Sequence, residues 1–422
     1  MSKTSAVDGF YKKTAIERLG IIRDFAGLND DEARLLGNYG ALDPALANRM
    51  VENVVGTLPV PMGYATNFLV NGRELFVPMA TEEPSVIAAA SNAAKLARAG
   101  GGFRASTTQP VMIGQIQITG VRNPHAARFE VLAHKQEIIE RANAMDPMLV
   151  KFGGGARDVE ARILESHTGQ LVVVHLLVDT RDAMGANAVN TMAEAVAPYL
   201  EELTRGKVYL RIISNLAVHR LARATAVWKK EELGGEEIVD GIIKAWAFAA
   251  ADPYRCATHN KGIMNGIDAV VLATGNDYRA IEAGAHAYAA ITGKYQPLTR
   301  YEKSDGGDLV GTLEMPMAVG IIGGASAVHP VAKLNIRILG ITKAHELAEV
   351  IASVGLAQNF AALRALSTEG IQRGHMSLHA KNVAVMAGAM PEEVDRIVEI
   401  MVKEKKVRID RAKELLDEMR RK

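Results

Sequence analysis

The chain has 422 residues, 48% of them hydrophobic, with 49 Lys+Arg against 48 Asp+Glu. That length supports a large buried core split into two or three domains, and the balanced charge lacks the basic excess of nucleic-acid or membrane-surface binders. One cysteine, Cys256, excludes an internal disulfide, no unbroken apolar run nears the roughly 18 residues of a membrane span, and positions 1–13 lack a signal peptide's apolar stretch, so the expectation is a cytoplasmic protein.

In chain order, residues 1–50 read as helical: apolar residues recur at helical spacing over 14–25, and Asp30-Asp31-Glu32 has the acidity of a helix's first turn. Strand-like pieces follow at 64–69 and 74–78. Thr81-Glu82-Glu83-Pro84 leads into an alanine-rich helix over 85–99, closed by Gly100-Gly101-Gly102. Proline at the start and glycine past the end are helix punctuation, which puts Glu83 at the N-cap. A strand at 111–119, a helix at 124–144, strands at 159–164 and 171–178, a helix at 186–203 and a strand at 208–213 then give the order β-α-β-β-α-β, a ferredoxin-like unit. Beyond Ser214 the pattern is mainly helical, broken by turns at Asn260-Lys261-Gly262 and Gly320-Ile321-Ile322-Gly323-Gly324. Residues 391–422 read as two amphipathic, highly charged helices. The fold class is α+β, a large and mostly helical domain carrying the ferredoxin-like insert.

Polar clusters stand out along this frame. Glu82-Glu83-Pro84-Ser85 reads as a helix cap or a reactive carboxylate. Between Asp252 and Gly262, the residues Arg255, Thr258, His259, Asn260 and Lys261 have the density of an anion-binding lining, or of a solvated loop. In Thr274-Gly275-Asn276-Asp277 the aspartate opens a helix over 280–290. Asp179-Thr180-Arg181-Asp182-Ala183-Met184-Gly185-Ala186-Asn187 joins a strand to a helix through glycine, and exposed N–H groups at such a start suit phosphate, although this is not the Rossmann fingerprint. His375 and His379 lie four apart, but Met376 stands where a zinc-protease motif needs glutamate, so no metal is expected.

Taken together, these segments resemble the class II 3-hydroxy-3-methylglutaryl-CoA (HMG-CoA) reductases. The resemblance runs from Glu52-Asn53-Val54-Val55-Gly56 to Gly388 and includes Glu83-Pro84-Ser85, Asp182-Ala183-Met184-Gly185-Ala186-Asn187, Asp252-Pro253-Tyr254-Arg255 and Thr258-His259-Asn260-Lys261-Gly262. Ala273-Thr274-Gly275-Asn276-Asp277, Gly311-Thr312-Leu313-Glu314-Met315-Pro316 and Gly370-Ile371-Gln372-Arg373-Gly374-His375-Met376 continue it. It implies a large HMG-CoA-binding and dimerisation domain over 1–109 and 216–372, a small dinucleotide-binding domain over 110–215, and a C-terminal flap over 373–422. It further implies a homodimer, or an assembly of dimers, with the site at the subunit interface.

The implied reaction interconverts HMG-CoA with mevalonate and coenzyme A by two hydride transfers; a related acyl-CoA thioester reductase is the alternative. Glu83, Lys261, Asp277 and His375 match the family's catalytic positions. Lys261 would neutralise the developing oxyanion, His375 would protonate the leaving thiolate, and Glu83 would donate a proton while sharing charge with Lys261 and Asp277. Ser85, Arg255, Thr258 and Asn265 match substrate-binding positions, an arginine fork suiting the HMG carboxylate. Asp182, Met184, Gly185 and Asn187 match the dinucleotide loop. Asp146 matches an aspartate that accepts the ribose 2′-hydroxyl and repels a 2′-phosphate, which favours NAD(H) over NADP(H); a helix cap before Pro147 is its other reading.

Overall fold

The structure, a computed structural model, describes residues 4–38, 40, 42–368, 380–404 and 406–420. Its strands in chain order are β1 (Met62–Val70), β2 (Arg73–Ala80), β3 (Phe103–Thr107), β4 (Val111–Thr119), β5 (Gly155–Ser166), β6 (Gly169–Asp179), β7 (Lys207–Ser214), β8 (Leu221–Trp228), β9 (Thr299–Lys303) and β10 (Leu309–Pro316). They form two sheets, one of six strands in the order β2-β1-β3-β8-β10-β9 and one of four in the order β5-β6-β4-β7.

The four-stranded sheet is the expected insert. Strand β4 alternates apolar and polar side chains over 115–119 while β6 is a nearly continuous apolar run, every pairing is antiparallel, and the order is that of a split β-α-β pair. Helices Lys135–Asn143 and Ala186–Thr204 supply Ile138, Val189, Met192 and Val196 to its core beside Ile116 and Val174. The helix expected over 124–144 is two, Pro124–Ala133 and Lys135–Asn143, because His134 leaves helical geometry at φ −100° and ψ 20°.

The large domain is mostly helical, as expected, and it also carries the six-stranded sheet, of which β8, β9 and β10 lie in the region read as mainly helical. Strand β8 turns Ala222, Ala224, Ala226 and Trp228 to the core. Alanine is a helix former by propensity, but here its small size lets helices sit close against the sheet. The helix Ala344–Ser367 runs through this core. It is long and apolar enough to cross a membrane, with a window of mean hydropathy 1.3, but 67% of that window is buried inside the protein. Counting unbroken apolar runs passes over it. Phe360 of this helix stacks on Trp228 with ring centroids 4.0 Å apart, and the Trp228 indole N–H donates to Ala93 O at 3.1 Å.

Helices Pro391–Lys403 and Ile409–Arg420 appear as expected and close around their own apolar cluster, including Ile397, Met401, Leu415 and Leu416. Glu393 and Arg420 tie the pair together at 2.7 Å.

Candidate active site

The helix Pro253–Ala273 builds the centre of the site. Pro253 occupies its first turn, and the Asp252 carboxylate caps it by accepting from the Arg255 N–H at 2.8 Å. The turn expected at Asn260-Lys261-Gly262 is therefore absent: those residues are mid-helix. Helical spacing then divides the polar cluster into two faces. Arg255, Thr258, Lys261 and Asn265 share the outer face. His259 and Asn260 point into the core, so the single anion-binding lining read from their density does not form.

The inner face is fastened. His259 Nε2 lies 2.7 Å from Thr299 Oγ1, whose hydroxyl donates to Asn359 Oδ1 at 2.9 Å. Asn260 donates to Gln296 O at 3.0 Å and accepts from the Leu298 N–H at 3.1 Å. Burial pushes His259 down to about 3, so its ring is neutral at physiological pH. Burial also raises the Cys256 thiol to about 11, which leaves it unreactive.

The outer face meets the segment before the helix Val86–Ala97. Lys261 Nζ donates to Glu83 Oε2 at 2.9 Å, and Asn265 Nδ2 donates to the same oxygen at 3.3 Å. Glu83 is not the N-cap. Ser85 holds that place in a left-handed conformation, φ 74°, with no side-chain cap bond. A non-glycine residue held there is strained, and such strain gathers at functional sites. Arg255 is half-buried, and burial lowers its pKa.

Asp277 caps the helix Tyr278–Ala289, accepting from Arg279 N–H at 3.0 Å and Ala280 N–H at 3.2 Å. It does not join Glu83 and Lys261 within one chain. The helix from Lys261 to Ala273 alone is about 18 Å long, and Asp277 lies beyond its end. Of the three residues expected to act together, a single chain joins Glu83 and Lys261. His375, with His379 and the Gly370–Met376 motif, lies outside the described residues.

The Asp182–Asn187 loop leaves β6 and enters the helix Ala186–Thr204. Gly185 starts that helix at φ 105°, and a Cβ there would collide with Thr180. Asn187 is exposed. The Asp182 carboxylate is engaged within the protein, accepting from Ala344 N–H at 2.8 Å and pairing with Lys343 at 3.2 Å. What the loop offers a ligand is therefore chiefly backbone. Asp146 caps a short helix by accepting from Leu149 N–H at 2.9 Å, so its cap reading holds and one carboxylate oxygen remains for another partner. Leu149 and Asp179 both crowd Gly154, which brings the Asp146 segment against the end of β6, where the loop begins.

Sequence reasoning passed over Arg220 and the partners of Gly320. Arg220 is buried and donates to the loop from behind. A Cβ on Gly320 would collide with Met184 N, and the Gly320 N–H donates to Asn276 Oδ1 at 2.8 Å. The glycine run thus joins the loop to the Asp277 turn. Only Gly320's glycine neighbours hinted at such close approach. A cavity of about 270 Å³ lies along this seam, lined by Asp182, Arg220, Lys343 and His345 among others. Another of about 750 Å³ opens on β3, β8 and β10, beside Arg104, Arg223 and Tyr288.

Compared with known proteins, residues 14–380 match the family model described as hydroxymethylglutaryl-coenzyme A reductase. The chain is 62% identical over 417 residues to the 3-hydroxy-3-methylglutaryl-coenzyme A reductase of Archaeoglobus fulgidus, covering 99% of this chain and 95% of that one. It is 34% identical over 384 residues to a probable 3-hydroxy-3-methylglutaryl-coenzyme A reductase of Borreliella burgdorferi, covering 89% and 85%. Its fold matches the class II 3-hydroxy-3-methylglutaryl-CoA reductase of Streptococcus pneumoniae bound to NADPH in open conformations, with TM-score 0.83 and 44% identity over 97% of this chain and 100% of that one.

Proposed function

Because the chain belongs to the hydroxymethylglutaryl-coenzyme A reductase family, we propose that it interconverts HMG-CoA with mevalonate and coenzyme A. The observation that carries the proposal is the Lys261–Glu83–Asn265 cluster beside the left-handed Ser85. A nicotinamide dinucleotide would supply the two hydrides, and the loop at 182–187, with its exposed Asn187 and the backbone that opens the Ala186–Thr204 helix, would hold it. The residues of the chain do the rest. Arg255 and Ser85 hold the HMG carboxylate, with Thr258 and Asn265 on its polar groups. The Lys261 ammonium faces the reacting carbonyl oxygen and stabilises the charge that develops there. Glu83, hydrogen-bonded to that ammonium, delivers the proton that the alkoxide needs. His375 protonates the departing thiolate, whose free pKa is about 8.5.

On this reading the four-stranded unit is the dinucleotide domain, and the protein works in the cytoplasm as a homodimer. Asp277 caps the next helix and makes no bond to Lys261 among the described residues of one chain, so on this reading the Asp277 that acts with Lys261 comes from a second copy. NAD(H) is the preferred cofactor, because the oxygen of Asp146 not used by Leu149 accepts a 2′-hydroxyl and repels a 2′-phosphate; the Streptococcus pneumoniae neighbour was solved with NADPH. The test is spectrophotometric. Purified protein receives HMG-CoA or other acyl-CoA thioesters with NADH or NADPH, and absorbance follows dinucleotide oxidation. HMG-CoA-dependent oxidation is expected, and faster with NADH. Its absence with both cofactors overturns the proposal.

A further inference from the structure

Arg220 is a buried charged side chain of the loop seam that no part of the reaction above uses. The residue is 5% exposed and has no direct ion pair among the described residues. Nη1 donates to Thr180 Oγ1 at 2.9 Å, Ala183 O at 3.0 Å and Met184 O at 3.0 Å, and Nη2 donates to Val319 O at 2.5 Å. Three of these acceptors belong to the loop that opens the Ala186–Thr204 helix. The fourth belongs to the segment after β10 of the six-stranded sheet.

Two further ties hold the same loop. The Ile321 N–H donates to Asp182 O at 3.0 Å, beside a bridge between Ala183 and Ile322. The Asp182 carboxylate caps the helix Ala344–Ser367 through Ala344 N–H. The loop grows out of the four-stranded sheet but is fastened to the other one on three sides. For stability alone such a charge is a poor choice: burial penalises it, and an apolar residue of similar volume usually serves as well or better. Burial lowers the Arg220 pKa to about 10, so it still carries its proton at neutral pH, and its planar fork meets several carbonyls at once.

We propose that Arg220 is a positioning residue for the dinucleotide: it fixes the 180–185 backbone against the six-stranded sheet, so that the loop is already in its binding conformation before the dinucleotide arrives. This rests on the reading that residues 182–187 bind the dinucleotide. Ordering a loop on binding costs affinity, and a loop ordered beforehand avoids that cost. None of its four acceptors belongs to the Pro253–Ala273 helix, whose outer face carries the HMG-CoA residues.

The test compares Arg220→Lys, Arg220→Gln and Asn187→Ala with the unaltered protein. NADH affinity is read by fluorescence titration and HMG-CoA affinity by calorimetry. Both Arg220 variants are expected to raise the Kd for NADH by about ten-fold or more, Gln more than Lys, with the Kd for HMG-CoA within about two-fold. Unchanged NADH affinity in a folded Arg220→Lys, or equal loss for both ligands, overturns the proposal. If Asn187→Ala leaves NADH affinity unchanged as well, the dinucleotide reading of the loop has failed too. Hydrogen exchange on the unaltered protein gives a test that needs no variant. The amides of Ala183, Ile321 and Ala344 are expected to be protected without dinucleotide. Free exchange that slows only when NADH is added overturns the clamp.

Discussion

Replacing Glu83 with glutamine separates chemistry from folding at one atom. The substitution keeps the side chain's shape and an acceptor oxygen for Lys261 and Asn265, 2.9 Å and 3.3 Å away, and removes a charge and a proton. The Lys261 and Glu83 side chains are 60% and 35% exposed, so their ion pair belongs with exposed pairs worth about 0.2–1 kcal/mol. In a protein of this size that shifts Tm by no more than about 4 °C. A positioned general acid contributes about 10²–10⁴ in rate, roughly 2.7–5.4 kcal/mol of barrier. The expected Glu83→Gln protein therefore unfolds almost normally, binds HMG-CoA, and turns over two to four orders of magnitude more slowly. Steady-state NADH oxidation, HMG-CoA titration calorimetry and thermal unfolding measure the three quantities. A folded variant with kcat within about ten-fold of the unaltered enzyme would falsify the role given to Glu83. Parallel loss of stability and turnover would instead assign the pair a structural task.

Trp228→Ala removes the ring stacked on Phe360 and the donor to Ala93 O. A loss of about 3–5 kcal/mol is expected in denaturant unfolding, and a loss below about 1 kcal/mol contradicts the packing described. Asp268, on the same helix as Lys261, is pushed well above the usual carboxylate range by burial and by the neighbouring Glu282, which pairs with His286 at 2.7 Å. The native state therefore keeps a proton that the unfolded chain has lost, so stability falls as pH rises from ordinary carboxylate values towards about 8. Asp268→Asn should flatten that slope in urea unfolding at pH 6 and 8.5, and identical slopes refute the assignment. Asp146→Ser, which discards the charge proposed to face the ribose, should lower the NADH-to-NADPH ratio of kcat/KM by about ten-fold, the scale of one charged contact. An unchanged ratio removes Asp146 from cofactor choice.

The ferredoxin-like unit was legible because its strands and helices obey different periods over long stretches, as in 111–119 and 186–203. The six-stranded sheet was legible only in β1 and β2. Strand β8 fills its core face with alanine, and alanine at every second position looks like neither an apolar strand nor an amphipathic helix. The same logic hid the site helix. Gly262 and the polar run before it read as a turn, although Asp252 and Pro253 are a start signal that could have placed Arg255, Thr258, Lys261 and Asn265 on one face. The pairing of Glu83 with Lys261 spans 178 residues and leaves no local pattern, so only the resemblance pointed to it. Arg220 had no signal at all, since its worth lies in four acceptors from two distant segments.

The buttressing of His259 and Asn260 has a consequence for ligands. With Thr299, Gln296, Leu298 and Asn359 bolted to its rear, the Pro253–Ala273 helix is a stator: it cannot roll or slide without tearing buried polar bonds. Molecules bulkier than the natural thioester meet an unyielding wall on that side. Room for them has to come from the side onto which Arg255, Thr258, Lys261 and Asn265 look.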